Sequence, residues 1–194
     1  MKRIVMASSN KGKIAEAKEI MEDYEIISLK DAGIEIDVEE DKNTFEDNAK
    51  KKAEEIAKTL ENSIVIADDS GIEVAFLDGF PGVYTKRWHA GSDRERNEAI
   101  LERMKGVPKE NRNVKFSTAI GISDGYKTIS VVASLDGLVS ENCRGENGFG
   151  FDEIFELADG RTLAELSSDE KNIISARKKA LELAKDRIKN EFEV

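Results

Sequence analysis

Ile64-Val65-Ile66-Ala67-Asp68-Asp69-Ser70-Gly71 is the stretch on which the reading of this chain turns. Residues 64–66 are β-branched with no polar break, the pattern of a buried strand. Two adjacent carboxylates stand at its end, and the Ser70-Gly71 that follows lets the backbone turn sharply. Successive side chains of a strand point to opposite faces. If the extended geometry persists, Asp68 and Asp69 cannot do the same job: one faces a cleft while the other anchors the loop. Carboxylates at a strand end hold a hard cation such as Mg²⁺ or position a water. A solvated Asp-Asp-Ser-Gly turn accounts for the same residues, and the stretch alone leaves both readings open.

Outward from it, residues 4–7 read as a first strand and residues 8–13 as a polar loop. Ile14, Ala17, Ile20 and Met21 then mark one face of a helix. A second strand falls at Tyr24–Ser28. Thr44 opens a helix to about Leu60, with Asp47 three residues on as a variant capping box. Ser92 with Glu95 caps a helix reaching about Met104, and Ser167 with Glu170 caps a long one from about Ser168 to Asn190. Residues 116–122 and 128–139 are strand-like and joined by Asp124-Gly125, a hairpin signal. A glycine-rich loop follows at 145–150, then strand-like Ile154-Phe155. Helix–strand alternation followed by a hairpin predicts an α/β fold whose mixed β-sheet is flanked by helices.

The chain has 194 residues, 39% hydrophobic and 36% charged, enough for one domain with its own core. A net charge of -10 disfavours nucleic acid or an anionic membrane as the main partner. It leaves room for a phosphorylated small molecule, which needs only a local cationic pocket and a metal. No apolar run approaches the ~20 residues of a membrane span. Residues 1–8 are basic then apolar, too short an apolar run for a signal peptide. The single cysteine, Cys143, has no partner for an internal disulfide, which suits a reducing cytoplasm.

Several local patterns carry chemistry. The loop Ser8-Ser9-Asn10-Lys11-Gly12-Lys13 lies between a strand and a helix N-terminus, where backbone N–H groups favour anions. Lys13 adds a point charge, and Ser8 and Asn10 add hydrogen bonds. The loop is not a Walker A motif, and an ordinary turn with Asn10 as helix cap explains it as well. In the helix from Thr44, the apolar stripe is Phe45, Ala49, Ala53, Ile56 and Leu60. At ~100° per residue, Lys52 falls nearest the stripe's centre and Lys51 far from it. Lys52 thus leans towards a pocket or snorkels at the stripe's edge.

In the last helix, Ile173, Ala180, Leu181, Ala184 and Ile188 define a buried face with Arg177 in its middle. A buried guanidinium needs a partner, either a structural carboxylate or a bound anion. Phe149 and Phe151 stand among glycines in residues 145–152. An aromatic ring there can stack on a planar ligand, or both rings can plug the core. The G-x-G-x-x-G order is absent, so a Rossmann loop is excluded. His89 is the sole histidine, which rules out a His-rich zinc site; Trp88-His89 reads as a surface loop and Cys143 as packing.

Taken together, the motifs resemble the inosine triphosphate pyrophosphatase family, the non-canonical purine nucleotide pyrophosphatases, over the full chain. The elements are Ser8-x-Asn10-x-x-Lys13, Glu40 followed by Thr44-Phe45-x-x-Asn48-Ala49-x-x-Lys52-Ala53, and Ala67-Asp68-Asp69-Ser70-Gly71. They continue with Phe80-Pro81-Gly82-Val83-Tyr84, Gly148-Phe149-Gly150-Phe151-Asp152-x-Ile154-Phe155, and Ala164-Glu165-Leu166 through Glu170-Lys171 to Ser175-Ala176-Arg177. Each is weak alone; their joint order and spacing are specific. The resemblance implies hydrolysis of ITP, dITP and XTP to monophosphate and pyrophosphate with Mg²⁺. It also implies an elongated single domain over residues 1–194, of two lobes with the nucleotide cleft between them, and a cytoplasmic homodimer.

Carried over by position, Asp69 is the general base, and Glu40 or its neighbour Glu39 holds the metal with Asp69. Ser8, Ser9, Asn10, Lys13, Lys52 and Ser70 face the phosphates. Phe149 stacks on the base, flanked by Gly150 and Phe151, with Asp152, Lys171, Ala176 and Arg177 near it. Two positions depart from the family pattern. Phe151 stands where many members have Tyr, and Ala176 replaces the usual His of Ser-His-Arg, which removes an imidazole contact unless that position acts through its backbone. A septum-inhibitor (Maf) type pyrophosphatase is the nearest rival, but its loop is Ser-Pro-Arg-Arg-like, unlike residues 10–13. A nucleotide-binding regulator without hydrolysis would have no need of the intact acidic set.

Overall fold

A computed structural model of the chain describes residues 2–60, 62–85 and 87–192. The elements are β1 (Lys2–Met6), α1 (Lys11–Ile20), β2 (Tyr24–Ser28), α2 (Phe45–Ala57), β3 (Ile64–Val74), α3 (Asp93–Arg103), β4 (Asn113–Ser123), β5 (Thr128–Val139), β6 (Phe155–Glu156), α4 (Ser168–Ile174) and α5 (Ala176–Glu191). The strand order is β2-β1-β3-β4-β5-β6. β1 runs parallel to β2 and to β3, whereas β5 and β6 are antiparallel, so the sheet is mixed as expected. The chain divides into two compact units. The first is Met1–Asp69, Thr118–Ala133 and Arg177–Val194, and the second is Ser70–Ser117 and Ser134–Ala176.

In the first unit the strands sort their side chains by alternation. Ile4 and Met6 of β1 and Ile66 of β3 join Ala17 of α1, Met21 just after it, and Ala180, Leu181, Ala184 and Ile188 of α5, in one core. Val5 and Ala7, with Val65 and Ala67, pack on Ala53, Ile56 and Ala57 of α2 in another. The unbroken apolar run of residues 64–67 is thus explained by helices covering both faces of β3. The second unit has its own core of Ile72, Val74, Ile100, Met104, Val139, Phe151, Ile154, Phe155, Leu163 and Leu166.

The caps form as read. Thr44 accepts from Asp47 N at 3.0 Å, and Ser92/Glu95 and Ser167/Glu170 close full capping boxes. Three expectations fail. The chain does not turn at Ser70-Gly71; β3 runs on to Val74. A Cβ on Gly71 would stand 2.1 Å from Thr85 Oγ1, so this glycine serves close packing and not a bend. The long C-terminal helix is two helices, broken at Ser175, whose backbone is extended (φ -62°, ψ 142°). Periodicity cannot register such a break, and Ile173, expected on the buried face, is 72% exposed. Trp88-His89 is half-buried and no open surface loop: the indole meets Phe80 edge to face at 4.9 Å, with Arg103 stacked over both rings.

Candidate functional site

β3 places the two carboxylates on opposite faces, as the alternation requires. Asp68, whose side chain is wholly buried, pairs with Lys13 of α1 and accepts from Arg177 Nε of α5 at 3.2 Å. Arg177 also donates from Nη1 to Glu16 Oε2 at 2.7 Å. The buried guanidinium therefore rests on two carboxylates, and the buried cations Lys13 and Arg177 converge on one of them. Charges taken out of water in this way persist only when paired.

Asp69 turns the other way. Its Oδ2 accepts from Asn48 Nδ2 of α2 at 3.0 Å, and Asn48, itself buried, receives Lys42 N on its Oδ1 at 2.9 Å. Burial pushes the Asp69 carboxyl above the ordinary carboxylate range, and the charge of Glu40 pushes it further. The Asn48 hydrogen bond and the charges of Lys52 and Lys13 pull against that rise. Glu40 is paired with Lys52, the lysine nearest the centre of the helical stripe. Lys51 lies on the outer side, bonded to Glu39 O and Asp41. Of the two candidate metal ligands, Glu40 is thus the one whose charge reaches Asp69, while the Glu39 side chain is exposed. Among the described residues no group of three or more His, Cys, Asp or Glu could hold a metal.

In the loop at residues 8–13, Asn10 is the cap of α1: its Oδ1 accepts from Gly12 N at 2.9 Å and Lys13 N at 3.2 Å. Ser8 Oγ accepts from Asn10 N at 3.2 Å, and Ser9 is exposed. Two of the helix-start N–H groups are therefore spent on the cap. Ser70 is buried in β3 beside Asp69.

The second unit gathers the aromatic set. Asp152 Oδ2 accepts from Phe149 N at 2.9 Å and from Lys171 Nζ at 2.8 Å, and the Lys171 ammonium lies 4.9 Å from the centre of the Phe149 ring. Asp152 and Lys171 are both buried. Gly148 allows this: it has φ +79°, and a Cβ there would stand 2.1 Å from Asp152 Oδ2. Gly150 donates to Asp93 Oδ2 at 2.7 Å. Phe149 stays partly exposed, whereas Phe151 packs into the core. Phe151 thus plugs the core, and Phe149 does not. Ala176 opens α5 and is buried. Asp152 and Lys171 come together with Phe149, while Arg177, grouped with them in the sequence, is bonded in the first unit.

Sequence reasoning misses Glu16, Asp93 and Asn97. It quotes Asn48 in the motif that starts at Thr44 but gives it no role, which the bond to Asp69 supplies. The partners of Asp68 are not legible in the sequence, since Lys13 and Arg177 lie 55 and 109 residues away.

A model of the Ham1 family matches residues 4–187. A dITP/XTP pyrophosphatase of Clostridium perfringens (strain 13 / Type A) is 44% identical over 200 residues, covering 97% of this chain and 98% of that protein. One of Bacillus subtilis (strain 168) is 45% identical over 188 residues, covering 93% and 94%. The structure of the Staphylococcus aureus Ham1 protein matches with a TM-score of 0.86 at 38% identity, covering 98% of this chain and all of that one.

Proposed function

The chain belongs to the Ham1 family, and on that premise we propose that it hydrolyses ITP, dITP and XTP to the monophosphate and pyrophosphate, clearing non-canonical purines from the nucleotide pool. The observation that carries the reading is the splitting of Asp68 and Asp69 onto opposite faces of β3, one neutralised by buried cations and the other buried beside Glu40.

Glu40 and Asp69 fit a hard divalent cation, which we take to be Mg²⁺. Both offer carboxylate oxygens, and the repulsion from Glu40, which adds to burial in raising Asp69, is what a shared cation would relieve. Mg²⁺ is held by one or two carboxylates together with substrate phosphates, so no third acidic residue is needed. When bound, the ion offsets phosphate charge and steadies the leaving pyrophosphate. A nucleoside triphosphate brings about four negative charges, and Lys13 and Lys52 meet them at the phosphate chain. Ser8, Ser9, Asn10 and Ser70 supply hydrogen bonds along it. Asp69, oriented by Asn48, takes the proton of a water attacking the α-phosphorus. The bond to the bridging oxygen breaks and pyrophosphate departs.

Phe149 is the platform for the base, with Gly150 letting the backbone come close. The Lys171 ammonium beside that ring is a donor for the O6 acceptor of a 6-oxo purine. An adenine amino group there would leave two donors facing each other, which rejects ATP. Phe151 backs the loop from the core, Asp152 orients Lys171, and Arg177 holds Asp68. At Ala176 only the backbone is left to contribute. In this reading the enzyme is cytoplasmic, which the single cysteine suits, and a homodimer; light scattering on the purified protein tests the dimer.

The test of function is product analysis with Mg²⁺ on ITP, dITP, XTP, GTP and ATP. Pyrophosphate plus monophosphate from the first three, with little from GTP or ATP, is expected and would show that Ala176 is tolerated. Orthophosphate as product, or equal turnover of ATP, would refute the reading.

A further inference from the structure

Asp93 and Asn97 lie four residues apart on one face of α3, and both reach Gly150. Asp93 Oδ2 accepts from Gly150 N at 2.7 Å, and Asn97 Nδ2 donates to Gly150 O at 3.0 Å. The two peptide planes that flank Gly150 are thus each tied to the helix. Gly150 has φ +69°, a conformation with little of its own stiffness, and it directly follows Phe149. Left free, it would let the Phe149 ring drift relative to Lys171.

Packing alone does not account for Asn97. It is fully buried, and among the described residues its Oδ1 has no hydrogen-bond partner. An apolar side chain of that size would bury no orphaned acceptor, but it would give up the bond to Gly150 O. A polar residue kept in a helix's core face against that cost points to a task beyond packing. Its amide also donates to Glu153 Oε2 at 3.3 Å, and Asp93 is fixed in turn by Arg96 Nη2 at 2.7 Å. α3 itself is held at its start by the Ser92/Glu95 box.

We propose that Asp93 and Asn97 form a clamp that positions the base platform, holding Gly150 so that Phe149 presents its ring at a fixed angle. The proposal rests on the reading of Phe149 as that platform. Neither residue touches substrate in it; both act through the Gly150 backbone, and they set KM and base preference more than the chemical step.

The experiment compares Asp93→Ala, Asp93→Asn, Asn97→Leu and Phe149→Ala, with kcat and KM for ITP and ATP and a thermal melt for each. Loss of one charge-assisted bond should raise the KM for ITP about tenfold in Asp93→Ala. It should leave kcat within about threefold and narrow the ITP-over-ATP preference. Asp93→Asn keeps an acceptor for Gly150 N and should restore KM. Asp93 is half-exposed, so its variants remain folded even where Asn97→Leu does not. If Phe149→Ala raises KM but Asp93→Ala and Asn97→Leu melt lower with KM unchanged, the two residues are merely structural and the clamp is overturned. If Phe149→Ala leaves KM unchanged, the platform reading falls and the clamp with it.

Discussion

Replacing Asp68 by Asn removes the charge on which two buried cations converge. The Asp68 side chain is fully buried, and those of Lys13 and Arg177 are 6% and 5% exposed, so solvent cannot take over its role. Arg177 keeps Glu16, so the loss falls mainly on Lys13. Breaking a buried ion pair by removing one partner costs about 3–5 kcal/mol. With Glu16 retained and the amide oxygen still accepting a hydrogen bond, the low end applies. At ~2–4 °C per kcal/mol for a chain of this length, Asp68→Asn should melt about 6–12 °C below the parent. Circular dichroism during a thermal ramp reads this directly, with a urea midpoint at unchanged slope as the second measure. A companion, Asp68→Asn with Lys13→Met, removes both charges and puts apolar volume in the gap. It should recover at least half of the loss, because an apolar pair of similar size is no worse than a buried ion pair. A fall in Tm of under about 2 °C for Asp68→Asn, or a double variant no more stable than the single, would refute the argument that the pair is charge-compensated.

Asp69→Asn should abolish turnover yet keep nucleotide binding by calorimetry. It should also raise Tm in metal-free buffer at neutral pH. Because the folded-state carboxyl titrates above its unfolded value, its favourable contribution exists only at low pH and is lost as pH rises through the folded pKa; an amide escapes that loss. No stabilisation is expected below the ordinary carboxylate range, and a uniform gain at every pH would count against the cause given. Gly148→Ala places a methyl against Asp152 at positive φ and should raise the KM for ITP about five- to thirtyfold, by about 1–2 kcal/mol of strain and displaced contact; an unchanged KM would show that the loop yields freely. Cys143 has its thiol pushed up to about 11 by burial, so alkylation at pH 8 should be slow in the native protein and fast in urea, followed by mass spectrometry.

Much of this is legible in the sequence alone. The apolar run of residues 64–66, the caps at Thr44, Ser92 and Ser167, and the angular position of Lys52 on its helix all follow from neighbours within a few residues. Chain geometry at that range is set by backbone sterics and local hydrogen bonds. Alternation along β3 even dictated that Asp68 and Asp69 must part company. What lay beyond was every fact that joins distant segments. That β3 runs through Ser70-Gly71 depends on Thr85 packing against a glycine with no Cβ. That α4 ends at Ser175 lets Lys171 serve Asp152 while Arg177 serves Asp68 and Glu16. That Asn97 grips Gly150 joins residues 53 apart. Such pairings depend on how whole elements pack, and no periodicity records them, because the energy that selects them is gained only when the cores have closed around both partners.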